Sequence, residues 1–287
     1  MEYHQDRFED ASLLVFKNEK LIAVFPANAV GEKVYSHQGL SYGGVLVTQN
    51  INIKTYTEVF SSIFNYLKRQ NFKTLIMKEM PFIYNKRLSG ELDFVLSKVV
   101  YKKTTDSYFV IDDLKNYKPN RNRRRAIKIA NNKNATISNT GIDFFWQHIL
   151  TQNLNKKFNV NPVHSIEEIK LLMKRFPDNI KFYSVQMADV IEAGVVMFIT
   201  DKVAHFQYSS GGENRTETGA LDFLFHEIIT KYSHKKYISF GSSATDKSLK
   251  IDAGLAYWKE SFGATTISQD FYEIGLNSVT KLDSIFI

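Results

Sequence analysis

The chain has 287 residues and no cysteine. That absence excludes disulfides, thiol nucleophiles, Cys-ligated zinc and iron–sulfur centres. No apolar run approaches the ~20 residues that a membrane-spanning helix needs. The opening MEYHQDRFED is polar and lacks the apolar stretch of a secretory signal. These absences set the expectation of a cytoplasmic protein without a transmembrane segment. Several catalytic motifs are missing too. His226-Glu227 begins the zincin pattern H-E-x-x-H, but position 230 is Thr. No other His, Asp or Glu spacing argues for a metal, so none is expected. Gly39-Leu40-Ser41-Tyr42-Gly43 fits G-x-S-x-G, yet the β-like GGVLVT follows where a nucleophile elbow needs a helix. There is no P-loop, and no G-x-G-x-x-G after a strand.

What is present is a core and a charge. Apolar residues make up 44% of the chain, and Phe and Tyr are plentiful. The net charge of +7 points to an anionic partner: cofactor phosphate, a nucleotide-sugar, tRNA or a membrane surface. Residues 12–26 read as a hairpin around KNEK, and 33–48 as further strand. Residues 54–69 read as an amphipathic helix with the stripe Val59, Ile63, Phe64 and Leu67, capped by Thr55 or Thr57. A strand at 74–80, a helix at 90–97 and a strand at 107–112 follow.

The order then repeats, with helix 119–133, strand 134–138 and helix 141–155. Ser165 caps a helix at 166–176, with Glu168 at capping-box spacing. Three strands fill 181–210. Helix 219–232, strand 237–241, helix 254–261 and strand 270–275 close the chain. This is an α/β (α+β) pattern of two similar domains, 1–115 and 116–287, divided within the polar stretch 112–120. The last strand is allowed to pack back on the first domain.

Residues 205–220 carry the strongest local signal. Ser209, Ser210, Gly211, Gly212, Arg215 and Gly219 lie in a loop between a strand and a helix that Ala220 opens. Backbone amides at such a place favour an anion, with Arg215 adding charge-assisted bonds. Pyrophosphate of coenzyme A and phosphate of a tRNA end both suit it. Period-two alternation puts His205, Gln207 and Ser209 on one strand face, with Phe206 and Tyr208 on the other. Arg121, Arg124, Arg125 and Lys128 share one helix face at i, i+3, i+4, i+7, which an anionic phosphate or nucleotide-sugar partner would relieve.

Taken in order, GLSYGG, PFIYNK, RNRRRAIKIANNKNATI, NPVHSIEEIKLL, AHFQYSSGGENRTETGALDFLF and GLAYWKESFGA resemble the Fem-type branch of the GNAT superfamily. The resemblance runs from about residue 12 to 275. Within the branch it is nearest to acetyltransferase-like proteins of bacterial polysaccharide loci. It implies two GNAT-like domains, each a mixed, mainly antiparallel sheet flanked by helices. It also implies acyl transfer to an amine, from acetyl-CoA or another acyl-CoA as co-substrate. The acceptor would be a small-molecule, nucleotide-linked or lipid-linked amine, such as an amino sugar of a surface-polysaccharide precursor. An aminoacyl-tRNA-dependent transferase acting on a peptidoglycan precursor is the alternative, and a non-catalytic binding protein a third. On this resemblance His205 would take the amine's proton and Gln207 and neighbouring amides would hold the oxyanion. Lys259 would add charge, and Tyr42, Gly43 and Gly44 would border the acceptor. Two departures stand out. Arg215-Thr-Glu-Thr-Gly219-Ala220 has one residue too many before its Gly for the usual phosphate loop, and Ser239 stands where relatives often carry Asp.

Overall fold

The computed structural model describes residues 6–99, 101–244, 250–277, 282, 285 and 286. The start of the polar N-terminal stretch, residues 1–5, lies outside them. The chain divides into two units: Met1–Asp106 with Ser268–Ile287, and Ser107–Ile267. The first unit begins with β1 (Glu9–Asp10), β2 (Leu13–Lys17), β3 (Lys20–Phe25), β4 (Asn28–Val30), β5 (Lys33–Tyr35) and β6 (Leu46–Val47). It continues with α1 (Ile53–Arg69), β7 (Thr74–Lys78), α2 (Glu91–Leu96) and β8 (Tyr101–Ile111). The second unit contains α3 (Arg121–Asn132), β9 (Thr136–Ser138), α4 (Ile142–Phe144), α5 (Thr151–Phe158) and α6 (Ile166–Arg175). Then come β10 (Ile180–Met187), β11 (Val190–Ile199), β12 (Val203–Gly211), α7 (Arg215–Thr218), α8 (Ala220–Lys231), β13 (Tyr237–Ser242), α9 (Ala253–Glu260) and β14 (Thr265–Gly275). β8 enters the second unit after Asp106, and β14 leaves it after Ile267.

Local chemistry explains most elements. The hairpin β2–β3 turns at Asn18 and Glu19, with φ of 49° and 62°. Positive φ at both central residues matches the twist of the flanking strands. The α1 stripe of Val59, Ile63, Phe64 and Leu67 is buried, as its 3.6-residue spacing dictates. Its cap lies upstream of the expected threonines. Asn52 accepts the Thr55 N–H at 2.8 Å, while Thr57 turns its hydroxyl back to the Ile53 carbonyl at 2.9 Å. Asn52→Ala should therefore lower stability by about 1 kcal/mol, read as a lower urea midpoint at unchanged slope. Ser165 and Glu168 form the expected capping box, with bonds of 3.2 and 2.7 Å.

Two strands are longer than their apolar patterns predict. β8 starts at Tyr101 rather than 107, and β14 at Thr265 rather than 270. The added residues are largely polar and exposed, so hydrophobic alternation misses them. Another difference concerns the Gly-rich loop. It does not open directly into α8, because the single turn α7 stands between them.

In the first unit the strand order is β1-β4-β5-β7-β14-β8, and β2-β3-β6 form a separate antiparallel sheet. Here β5 and β7 are parallel, while β7 and β14 are antiparallel. α1 packs its stripe with Phe25, Leu75, Met77, Tyr272 and Ile274. In the second unit the order is β8-β13-β12-β11-β10-β9. Only β12 and β13 pair in parallel there, and the other described pairs are antiparallel. Each unit is thus a mixed sheet with helices against it. On one face of the second sheet, α3 and α8 enclose Phe206, Phe225, Phe240 and Phe262. On the other, Phe145 lies against Gly194, where a Cβ would come within 2.4 Å of the ring. Among the described residues, no helix is long and apolar enough to cross a membrane.

Candidate active site

The parallel pairing of β12 with β13 stops early. It covers Val203↔Tyr237, Ala204↔Ile238 and His205↔Ser239 only. Beyond it, β13 shifts register on β8 between Ser239 and Gly241, and Gly241 takes φ 68°. β12 also breaks step. Met197 faces Phe206 and Val196 faces Tyr208, so Gln207 is the extra residue of a bulge. A cavity of about 970 Å³ is lined by both strands past this point, with residues of α8 and α9. Phe206, Phe225, Phe240 and Trp258 supply aromatic wall, while Gln207, Ser209 and Lys259 supply polar groups.

The bulge corrects the expected strand faces. Phe206 and Ser209 lie opposite Met197 and Val195, which both point into the core under α8. His205 and Tyr208 lie opposite Phe198 and Val196, on the other face. One inserted residue reverses the alternation, so His205 and Ser209 do not share a side. His205 is buried, and its Nδ1 lies 2.9 Å from Ser239 Oγ and 3.5 Å from the Tyr108 hydroxyl. It does not line the cavity, whereas Gln207 does. Ser239 partners this histidine.

Lys259 is only 4% exposed, unusual for a lysine. Its Nζ donates to the Gly241 carbonyl at 3.1 Å and to the Ser242 carbonyl at 2.5 Å. The ammonium also stands 5.1 Å from the centre of the Phe109 ring. The Lys259 side-chain nitrogen thus sits in the cavity wall at the end of β13.

The Gly-rich loop divides in two. Ser209, Ser210 and Gly211, which still belong to strand β12 rather than to a loop, line the cavity with the exposed Arg215; Gly212, Gly219 and Ala220 do not. The Gly212 amide is committed to the Glu192 carbonyl at 2.7 Å. Gly219 has φ 66°, and a Cβ there would lie 2.2 Å from the Ala126 carbonyl oxygen. Its glycine is required by close packing against α3. Asn153, on α5, also lines the cavity and holds the end of β12 through Ser210 Oγ at 2.7 Å and the Gly211 carbonyl at 2.8 Å.

Arg121, Arg124, Arg125 and Lys128 are exposed along α3, and none lines this cavity. The arginine that matters to the site is one the charge pattern passed over. Arg123 Nη1 meets both oxygens of Asp222 at 2.7 Å, and Trp258 Nε1 donates to the same carboxylate at 2.9 Å. Burial pushes the Asp222 pKa up, while Trp258 and Arg123 pull against that rise. The network ties α3 and α8 to a wall residue on α9. The signal was available: Arg123 shares the i, i+4, i+7 stripe with buried Ile127 and Ala130. A cation on a buried stripe calls for a partner.

In the first unit, the Tyr42 hydroxyl donates to the Tyr84 hydroxyl at 2.8 Å. Gly43 is there for close approach, since a Cβ would lie 2.1 Å from the Ser36 carbonyl oxygen. Gly43, Gly44 and Tyr84 line a separate cavity of that unit, and Tyr42 stands behind Tyr84. Among the described residues, no group of three or more His, Asp or Glu is placed to hold a metal ion.

No protein-family model matches the sequence, and no curated protein matches it. Solved structures do. FemX is similar with a TM-score of 0.65 at 9% identity, over 96% of this chain and 90% of that one. The C-terminal domain of a putative lysylphosphatidylglycerol synthetase from Agrobacterium fabrum gives 0.61 at 9%, over 95% and 87%. L-PGS from Bacillus licheniformis gives 0.61 at 10%, over 93% and 84%. At these identities the likeness is one of fold. The chain shares the fold of FemX and of these synthetase structures, in line with the Fem-type resemblance of its motif order.

Proposed function

We propose that the chain is an acyltransferase, with the acyl donor in the cavity of the second unit and a primary amine as acceptor. The parting of β12 from β13 around the Gln207 bulge carries this reading. A strand edge released from its neighbour accepts an extended, amide-bearing chain as it would another strand. The pantetheine arm of acyl-coenzyme A is such a chain, and it is the donor proposed. Arg215 and Lys156 at the mouth would take its phosphates. The amine nitrogen forms a bond to the thioester carbonyl carbon. The C–S bond then breaks, and the thiolate leaves with the proton that the amine gives up, relayed by water. Negative charge that gathers on the carbonyl oxygen is met by Lys259 and by amides at the bulge.

His205 is given a positioning part rather than that of the base. Its partners Ser239 and Tyr108 belong to β13 and β8, so it ties the sheet together just below the fork. The basic face of α3 is proposed to meet phosphate on an acceptor's nucleotide or lipid carrier, an amino sugar being the acceptor favoured. The reaction is placed in the cytoplasm, where acyl-coenzyme A is made.

A second reading keeps the cavity and changes the donor to an aminoacyl ester. It is favoured by the similar structure described as a lysylphosphatidylglycerol synthetase, whose product bears a lysyl group. Calorimetric titration with acetyl-coenzyme A, at low and moderate salt, separates the two. Saturable micromolar binding is expected, weakened by salt and lost in Arg215→Ala. Arg215 is exposed, so that variant should fold. Absence of binding in the parent chain would remove acetyl-coenzyme A and move the aminoacyl ester ahead.

A further inference from the structure

The cavity of the first unit, about 580 Å³, has no part in the donor site. Tyr56, Phe60 and Tyr84 supply rings to its wall, and Met80 and Leu92 add apolar surface. Glu79 is the one carboxylate among the described residues that line it. Its main chain is fixed on both sides. The Glu79 N–H donates to the Asp270 carbonyl at 2.9 Å, and the Glu79 carbonyl accepts from Gln269 Nε2 at 3.2 Å. The side chain is held by one oxygen, since Tyr272 donates its hydroxyl to Oε2 at 3.2 Å. Among the described residues, Oε1 receives no hydrogen bond.

The surroundings favour a cation. Burial, then the nearby charges of Asp93 and Asp270, push the Glu79 pKa up. Lys103 is the cation that opposes them, and its Nζ is engaged with Asp270 Oδ2 at 2.5 Å. Arg87 also lines the cavity but is neutralised by Glu91 at 2.7 Å, and Lys86 is exposed. Ring faces attract a cation within ~6 Å, and charge pairs strengthen as water is excluded.

We propose that this cavity binds a primary ammonium group, with Glu79 Oε1 as its counter-ion and the rings of Tyr56, Phe60 and Tyr84 around it. The volume suits a ligand of sugar or amino-acid size. The inference stands apart from the acyl-transfer reading, although an amine acceptor would belong to the same chemical class.

The test is calorimetry on the full chain without any acyl donor. Glucosamine is compared with N-acetylglucosamine, and n-hexylamine with 1-hexanol. At least one amine should bind saturably and about tenfold or more tighter than its uncharged twin. Glu79→Gln should weaken that binding by a similar factor. The variant keeps an acceptor for Tyr272 and removes a charge that burial disfavours, so its melting temperature at pH 7 should not fall. Equal binding of amine and twin would overturn the proposal. So would amine binding that survives Glu79→Gln, or no binding of either amine. The comparison of twins needs no variant. Because no donor is present, failure here leaves the acetyl-coenzyme A result untouched, and failure there leaves this one standing.

Discussion

Lys259→Met is expected to slow the proposed acyl transfer about 10²-fold in kcat, with the donor KM changed by no more than about threefold. The ammonium is held by two carbonyls before any donor arrives, so no reorganisation is needed as charge develops. Met keeps the length of the stem and deletes the charge. It also strips the Gly241 and Ser242 carbonyls of their donor, which costs about 1–3 kcal/mol of stability. Steady-state assays of released thiol, run well below the variant's melting temperature, separate the two effects. A loss confined to KM would assign Lys259 to donor phosphate instead. Unchanged turnover would take it out of the reaction, and a chain with no turnover at all would be a binding protein.

Phe225→Ala should give the largest loss of stability, about 3–5 kcal/mol. Phe225 is 1% exposed. Its ring centre lies 4.0 Å from that of Phe206, 4.6 Å from Trp258 and 5.6 Å from Phe240. The stack joins α8, β12, β13 and α9, so no single element can move to fill the gap. Because Phe225 also lines the cavity proposed for the donor, donor affinity should fall with stability. Urea denaturation followed by tryptophan fluorescence reads the first effect, since Trp258 is one of the ring partners. Phe225→Leu, which retains most of the volume, should lose much less.

The elements most legible in the sequence were those with local signals. The α1 stripe and the Ser165–Glu168 box depend on residues within one or two turns. Asn52 was missed because the apolar period starts well inside the helix, while the cap answers to the first free amides. The strand faces around Gln207 were misassigned for a related reason. A bulge is invisible to period-two alternation, yet it reverses every side chain that follows it. Lys259 beside Glu260 looks like surface, and only the fold brings two carbonyls of β13 over its ammonium. Gly219 illustrates the opposite error. Its glycine was legible, but the backbone that needs the space belongs to α3 rather than to a ligand.

The two crossings of the chain, in β8 and in β14, have a consequence for synthesis. The second unit is an insertion between two stretches of the first. β14, which lies between β7 and β8 in the first unit's strand order, enters that unit only after the whole of the second unit has been made. The ribosome therefore releases every residue of the second unit while the first still lacks an interior strand. The usual order, in which the N-terminal domain folds first, should therefore be reversed. Nascent chains halted once residue 267 has cleared the exit tunnel should already resist protease across the second unit, while α1 remains open to cleavage.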